Sequence, residues 1–281
     1  MVVLGILQMH GQVMEGGDNF TFQYTTAPSI GKHQLDTYQY AGHVHSNVLS
    51  LKSRFTIDYS NNRFQFFDLG QNFDYKTIDD LHRIQLSWAG TKPIFGSWSL
   101  FFQSTPQLAS NFNEPLSNDD LVFEYAFGLK KEWKTSSLIA GIMRSTVFGE
   151  PTIVPLFSYR KQLGNRTTFQ IGFPKTFLKT EISDRHGLCM GIAADGYYYN
   201  ISGDIGLLHT EATKMEFSRL DYFLKHTYSI QPGISTIVQL GFYGENDLQI
   251  TNENSETLYN FQTNESVYFS MGLEINLNRN K

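Results

Sequence analysis

From about residue 45 onward, apolar and polar residues alternate with a period of two. Leu49, Leu51, Phe55, Ile57 and Tyr59 fall on one side of an extended chain, and Lys52, Arg54, Thr56 and Asp58 on the other. Phe123, Tyr125, Phe127 and Leu129 alternate with Glu124, Ala126, Gly128 and Lys130. Leu220, Tyr222 and Leu224 oppose Arg219, Asp221 and Lys225, and Ile84, Leu86 and Trp88 oppose Arg83, Gln85 and Ser87. The last segment is the cleanest, with Val267, Phe269, Met271, Leu273 and Ile275 against Tyr268, Ser270, Gly272, Glu274 and Asn276. A period of two places alternate side chains on opposite faces of a strand. Helical spacing is nowhere sustained beyond two turns. Many of the segments are long: globular strands average about 5–6 residues, whereas a tilted strand that crosses a bilayer takes about 9–11.

The connections between segments sort by length. Thr91–Phe95, Lys131–Thr135, Leu163–Arg166 and Ser229–Gly233 are short, and Asp195-Gly196 reads as a two-residue hairpin turn. Thr105–Asn118, Pro174–His186 and Glu245–Asn264 are long and polar, and they alternate with the short ones; Phe177–Ser183, inside the second, also reads as a strand in its own right. Short turns at one end and longer loops at the other describe a transmembrane barrel, with the short turns periplasmic and the loops extracellular. The expected fold is therefore all-β: a single transmembrane antiparallel up-and-down β-barrel of about 12 strands, within a range of 10–14. Both ends of the barrel fall on the short-turn side. Residues 1–12 are expected to be the remnant of a signal peptide, residues 13–45 extra strands or a segment in the lumen, and residues 46–281 the barrel. Pro155 lies inside an expected strand, where a continuous ladder disfavours it.

Composition sharpens this reading. Aromatic residues make up 15% and charged residues only 17% of the 281. The hydrophobic share of 41% looks too low for a membrane protein, but only one face of each barrel strand meets lipid, so the outside averages with a polar lumen. No run approaches the roughly 18 apolar residues of a spanning helix. Phe123, Tyr125, Phe127, Val267, Phe269 and Met271 are the candidates for the lipid-facing side. Tyr59, Trp88, Trp98, Tyr159, Tyr228 and Tyr243, near strand ends, are candidates for interfacial belts. Lys52, Arg54, Asp58, Arg83, Glu124, Lys130, Arg219, Asp221, Lys225 and Glu274 share the opposite face. In a soluble core so many charges would be costly, whereas a wet lumen accommodates them and lets them pair.

Little in the sequence points to catalysis. The net charge of −5 gives no electrostatic case for nucleic acid. The single cysteine, Cys189, excludes an internal disulfide and Cys-based zinc sites. His43 and His45 fall on one side of an extended chain but make only half a metal site. His226 with Ser229, or His209 with Ser202, imitates the His–Ser sets of lipid-modifying barrel enzymes without any motif. No metal, cofactor or catalytic residue is assigned, and the expectation is that the chain is no enzyme.

The centre of the chain carries a resemblance. Pro151–Arg160 (PTIVPLFSYR), Leu163–Arg166 (LGNR) and Phe169–Thr176 (FQIGFPKT), followed by Asp195-Gly196-Tyr197, look like a family of Gram-negative outer-membrane β-barrel proteins described only as a domain of unknown function. The resemblance covers most of residues 45–277 and transfers no catalytic residue. It implies an outer-membrane, porin-like barrel and leaves activity open; the leading expectation is a passive pore or a structural barrel with no chemistry. Its implied partners are outer-membrane lipid, the barrel-assembly machinery and a small solute. The competing expectation is a soluble or secreted β-barrel or sandwich that binds a ligand, and the third is a lipid-modifying barrel enzyme.

Overall fold

The computed structural model describes residues 18–30, 33–48, 51–66, 75–202, 213–261 and 263–277. The expected signal remnant lies outside them. Among the described residues fifteen strands run in chain order: β1 (Asn19–Ile30), β2 (His33–Val48), β3 (Leu51–Phe66), β4 (Asp80–Phe95), β5 (Trp98–Ser110), β6 (Leu121–Glu132), β7 (Ser136–Ser145), β8 (Thr152–Leu163), β9 (Thr167–Phe173), β10 (Lys175–Glu181), β11 (His186–Asn200), β12 (Lys214–Gln231), β13 (Ile234–Thr251), β14 (Thr257–Phe261) and β15 (Ser266–Asn276). The count of twelve is not confirmed.

Each strand from β1 to β13 pairs antiparallel with the next in sequence. β15 bridges β13 and β1 (Ile234↔Ile275, Asn19↔Asn276), so the sheet closes on itself. β14 takes the upper stretch of the same flank of β13. Closure leaves no open edge around the ring, so the backbone groups of the wall find partners within it. The start of β1 and the end of β15 meet at the short-turn end, where the Leu277 N–H donates to the Asp18 carbonyl at 2.8 Å.

Three local readings are corrected. The first short turn lies at Gly96-Ser97, beyond Thr91–Phe95, with Gly96 in the left-handed region (φ 53°). Asp195-Gly196 is no turn; it sits inside β11, with Asp195 opposite Arg219 and Gly196 opposite Ser218. Pro174–His186 is no long loop, because β10 occupies Lys175–Glu181. Pro155 pairs in unbroken register with Ile142 of β7. Pairing of β8 with β9 ends at Phe157↔Phe173, so Pro155 lies where β8 has no β9 partner and the missing N–H is tolerated.

The upper half of β11, towards the long loops, departs from a simple ring. Its last partner on β10 is Ala193↔Lys175. Beyond that point its tip pairs in parallel with β5, from the other side of the barrel, at Asn200↔Ser110. Both faces of this stretch are covered. On one face Tyr197 and Tyr199 join a buried cluster with Phe64, Phe66, Leu81, Met215, Phe217, Tyr243, Leu248, Ile250, Phe261 and Tyr268. On the other, Ala194 packs against Phe101, Ile139, Met143, Val147, Val154 and Leu156 of the β5–β8 wall. A Cβ at Gly196 would lie 2.0 Å from the Thr146 carbonyl oxygen, so only glycine lets the β7–β8 connection approach this closely.

Candidate functional site

The two faces of the wall are inverted relative to a water-soluble protein. Nine of the ten charged candidates have buried side chains: Arg54, Asp58, Arg83, Glu124, Lys130, Arg219, Asp221, Lys225 and Glu274, with Arg83 only 2% and Glu274 only 1% exposed. Lys52 lies in β3 opposite Asn47, and its side chain is outside the described set. Phe123, Phe127, Val267 and Met271 are exposed, Val267 by 64%, while Tyr125 and Phe269 are half-exposed. Ile57, Leu86, Ile142, Ile153, Ile171, Leu224 and Leu240 extend this exposed apolar surface around the barrel.

The inside divides into two zones. Towards the short turns it is lined by polar side chains, with the charged Arg54, Lys130 and Glu274 among serines, threonines and glutamines. Gln23 Nε2 donates to Ser270 Oγ at 2.6 Å, and the Ser87 and Thr105 hydroxyls are 3.0 Å apart. Towards the long loops it is filled by rings. Tyr197 stacks on Tyr199 and on Phe217, Phe64 meets Phe217 edge-on, and Phe66 stacks on Phe261. This aromatic filling was not expected from the sequence, which suggested a wet lumen. Tyr243 is corrected with it: the residue is buried against Tyr268, ring centroids 4.1 Å apart, and belongs to no belt.

Between the zones lies a charged layer. The Arg219 Nη2 donates to Asp195 Oδ2 at 2.9 Å, and both side chains are buried. The Arg219 guanidinium lies 4.1 Å from the Tyr243 ring centroid and 5.6 Å from that of Tyr197. Arg83, on β4, reaches the same Tyr197 ring at 4.4 Å. Tyr268 donates to Asp221 Oδ1 at 2.7 Å, and Gln239 donates to Tyr268. Guanidinium stacking and charge-assisted hydrogen bonds offset part of the cost of removing these charges from water. Asp195, Tyr197 and Tyr268 were not among the sequence candidates, and Tyr243 was one only for a belt. The available signal was the mixture along β12, where Phe217, Arg219, Asp221, Phe223 and Lys225 share one face.

At the long-loop end a polar clasp holds the tip of β11. Asn111 Nδ2 donates to the carbonyls of Thr77 and Ser202, both at 2.8 Å, and Ser202 Oγ donates back to Asn111 Oδ1 at 2.8 Å. Asn200 Nδ2 donates to Asp120 Oδ1 at 2.9 Å, and the Ser117 N–H donates to Asp120 Oδ2 at 2.7 Å. Asp120 sits in a short 3-10 turn, Asn118–Asp120, in the β5–β6 loop. Burial alone would raise its carboxyl, but hydrogen bonds from Ser117, Ser110 and Asn200 outweigh it and hold the group below its ordinary value. A depressed folded value adds stability above the unfolded value, near 3.9, and this stability is lost as pH falls through the folded value. Asp120→Asn is expected to cost about 1–3 kcal/mol at pH 7. The gap between wild type and variant in thermal midpoint should close as the pH is lowered from 7 to 3; a gap independent of pH would refute the role given to the carboxylate.

Of the two His–Ser sets that imitate a catalytic pair, His226 and Ser229 each have another neighbour. His226 Nε2 lies 3.0 Å from His186 Nδ1, and Ser229 Oγ lies 3.2 Å from Ser235 Oγ. His209, and the side chains of His43 and His45, fall outside the described set. No group of three metal-ligating side chains occurs among the described residues.

No curated protein matches the chain. Among solved structures it is similar to an outer-membrane channel from Pseudomonas putida F1, with 8% identity, a TM-score of 0.48, and coverage of 96% of this chain and 99% of that one. It is also similar to the NanC porin (8%, 0.41, 92% and 100%) and to the Acinetobacter baumannii outer membrane protein Omp33 (6%, 0.42, 93% and 99%). At TM-scores under 0.5 these likenesses carry no weight for activity. The model of one family, the Domain of unknown function (DUF6268), matches residues 53–276, from β3 to the last residue of β15, and includes the Pro151–Thr176 motifs; the chain belongs to that family.

Proposed function

We propose that the chain is an outer-membrane β-barrel without catalytic activity, whose lumen opens towards the short turns and is closed at the long-loop end by packed rings. One observation carries the reading: the charged side chains are inside and the large apolar ones outside. Water penalises both halves of that arrangement, and a bilayer reverses both penalties by accepting an apolar belt on a closed sheet. On this reading the short turns are periplasmic, the long loops extracellular, and lipid and the barrel-assembly machinery are the first partners.

Closure follows from the aromatic zone. An ion crossing it would shed water among Tyr199, Phe217 and Phe64 with no polar replacement, and apolar constrictions of this kind block conduction. The clasp at Asn111, Asn200 and Asp120 adds a second layer above the rings. The soluble ligand-binding alternative offers no account of the exposed isoleucines and leucines.

Two measurements test the proposal. In the membrane fraction the protein should migrate differently before and after boiling, because a closed barrel resists detergent until heated. In planar bilayers the wild-type barrel should be nearly silent. Solubility without detergent would overturn the membrane reading, and steady large conductance would overturn closure alone.

A further inference from the structure

The charged layer contains more hydrogen-bond donors than its neighbours use. Among the described residues, the buried Nε and Nη2 atoms of Arg83 and the buried Nε and Nη1 atoms of Arg219 have no hydrogen-bond partner. Nε and Nη2 form the side-on fork of a guanidinium, the edge whose two parallel N–H bonds match the oxygens of a carboxylate or phosphate. Arg83 therefore presents a complete fork from a side chain 2% exposed. The two guanidinium groups also flank one ring, Tyr197, at 4.4 and 5.6 Å.

The surrounding charges leave these donors free. Asp58 and Asp195 lie within electrostatic reach of Arg83, and Asp195 and Asp221 within reach of Arg219. Lys175 shares the neighbourhood with Lys225, Asp221 and Asp195, and Lys225 also faces Glu274. Four cations thus stand against four carboxylates, and the unused donors, not a net charge, set the preference for an oxyanion. Asp195 already occupies Arg219 Nη2, so an added anion would sit on the Arg83 fork, with the unused Arg219 Nη1 as a further donor in the same layer. The polar zone, which also carries Arg54, Lys130 and Glu274, leads to this layer from the short-turn end, and the rings stop passage beyond it.

We propose that the Arg83–Arg219 layer is a binding site for a small oxyanion of the carboxylate or phosphate class, taken up from the short-turn side of the lumen. This inference rests on the barrel reading above. The chemistry that recognises the ligand is the guanidinium fork, with the Tyr197 ring as the wall that fixes its plane.

The test is thermal unfolding of the full chain in detergent with inorganic phosphate, acetate or chloride at matched ionic strength. Saturating phosphate or acetate should raise the midpoint by about 3–5 °C over chloride. Arg83→Gln and Arg219→Gln should each weaken the half-saturation concentration at least tenfold, Arg83→Lys should keep part of it, and Arg185→Gln at the short-turn end should change nothing. A shift with phosphate alone, or with both oxyanions, supports the proposal and names the class. No oxyanion-specific shift in the wild type overturns it even if the glutamine variants fail to fold. So does a shift that survives both arginine substitutions, which marks an adventitious surface effect. Heat-modifiable mobility of the same samples reports separately whether the barrel reading stands.

Discussion

Leu86→Arg is expected to cost the embedded barrel about 2–4 kcal/mol, the price of a cation on the lipid side near the bilayer midplane. Leu86 lies in the middle of β4, 55% exposed, opposite Ile57 on β3, and both point outward. In water a leucine as exposed as this one would tolerate arginine within about ±0.5 kcal/mol. The size of the effect therefore reports the solvent. Leu116 supplies the control, since it is also an exposed leucine but stands in the β5–β6 loop, beyond the strands. Leu116→Arg should be near neutral in the same assay. Equilibrium denaturant unfolding in lipid vesicles would measure both. Equal and small effects at the two positions would show that the outside of β4 faces water, and the membrane reading would fall with that result.

The contrast between Leu86 and Arg83 was legible in the sequence because alternation needs only a period of two. On β6, β12 and β15 the alternating residues fall on the two faces that the pattern implies. What alternation gives is two faces; it does not say which is inside or what fills the inside. Phe217 and Tyr268 illustrate this. They alternate with Glu216, Ser218, Val267 and Phe269, and nothing local separates an inward ring from a lipid-facing one. Only the company of Arg219 and Asp221 on the same face of β12 marks Phe217 as inward.

Two misreadings around β10 and β11 have a common physical origin. β10 is seven residues long and follows Pro174 directly, so Phe177–Ser183 reads as a strand only as an alternative and stays outside the count of twelve. β11 lost its alternation at Ala193–Tyr199 because both faces of that stretch are covered, one by rings and one by the β5–β8 wall. Asp195-Gly196 then looked like a hairpin turn. Aspartate is there to meet Arg219, and glycine because the Thr146 carbonyl leaves no room for a Cβ. One strand left out of the count and one strand split kept the order of short and long connections in phase. The family motifs in Pro151–Thr176 span β8, β9 and the start of β10, so the resemblance rested on the stretch of wall beside the departure of β11.

Phe217→Ala is expected to lower stability by about 3–5 kcal/mol, the range for truncating a buried aromatic that neighbours cannot collapse onto. Phe217 is 1% exposed, packs edge-on against Phe64 and face-on against Tyr197, and carries the Arg219 guanidinium over its ring at 5.3 Å. Its removal leaves a gap directly beside the charged layer, whose Arg219 guanidinium lies over the ring. The same substitution should therefore admit ions, and bilayers containing the variant should show discrete openings where the wild type is nearly silent. Stability and conductance separate two roles that a single assay would merge. Loss of stability with openings assigns closure to the rings. Loss of stability with continued silence assigns it to the clasp at the β11 tip, and Asn111→Ala in the Phe217→Ala background should then open the barrel. A variant of unchanged stability would contradict the packed lumen itself, because a ring that fills no space costs nothing to remove.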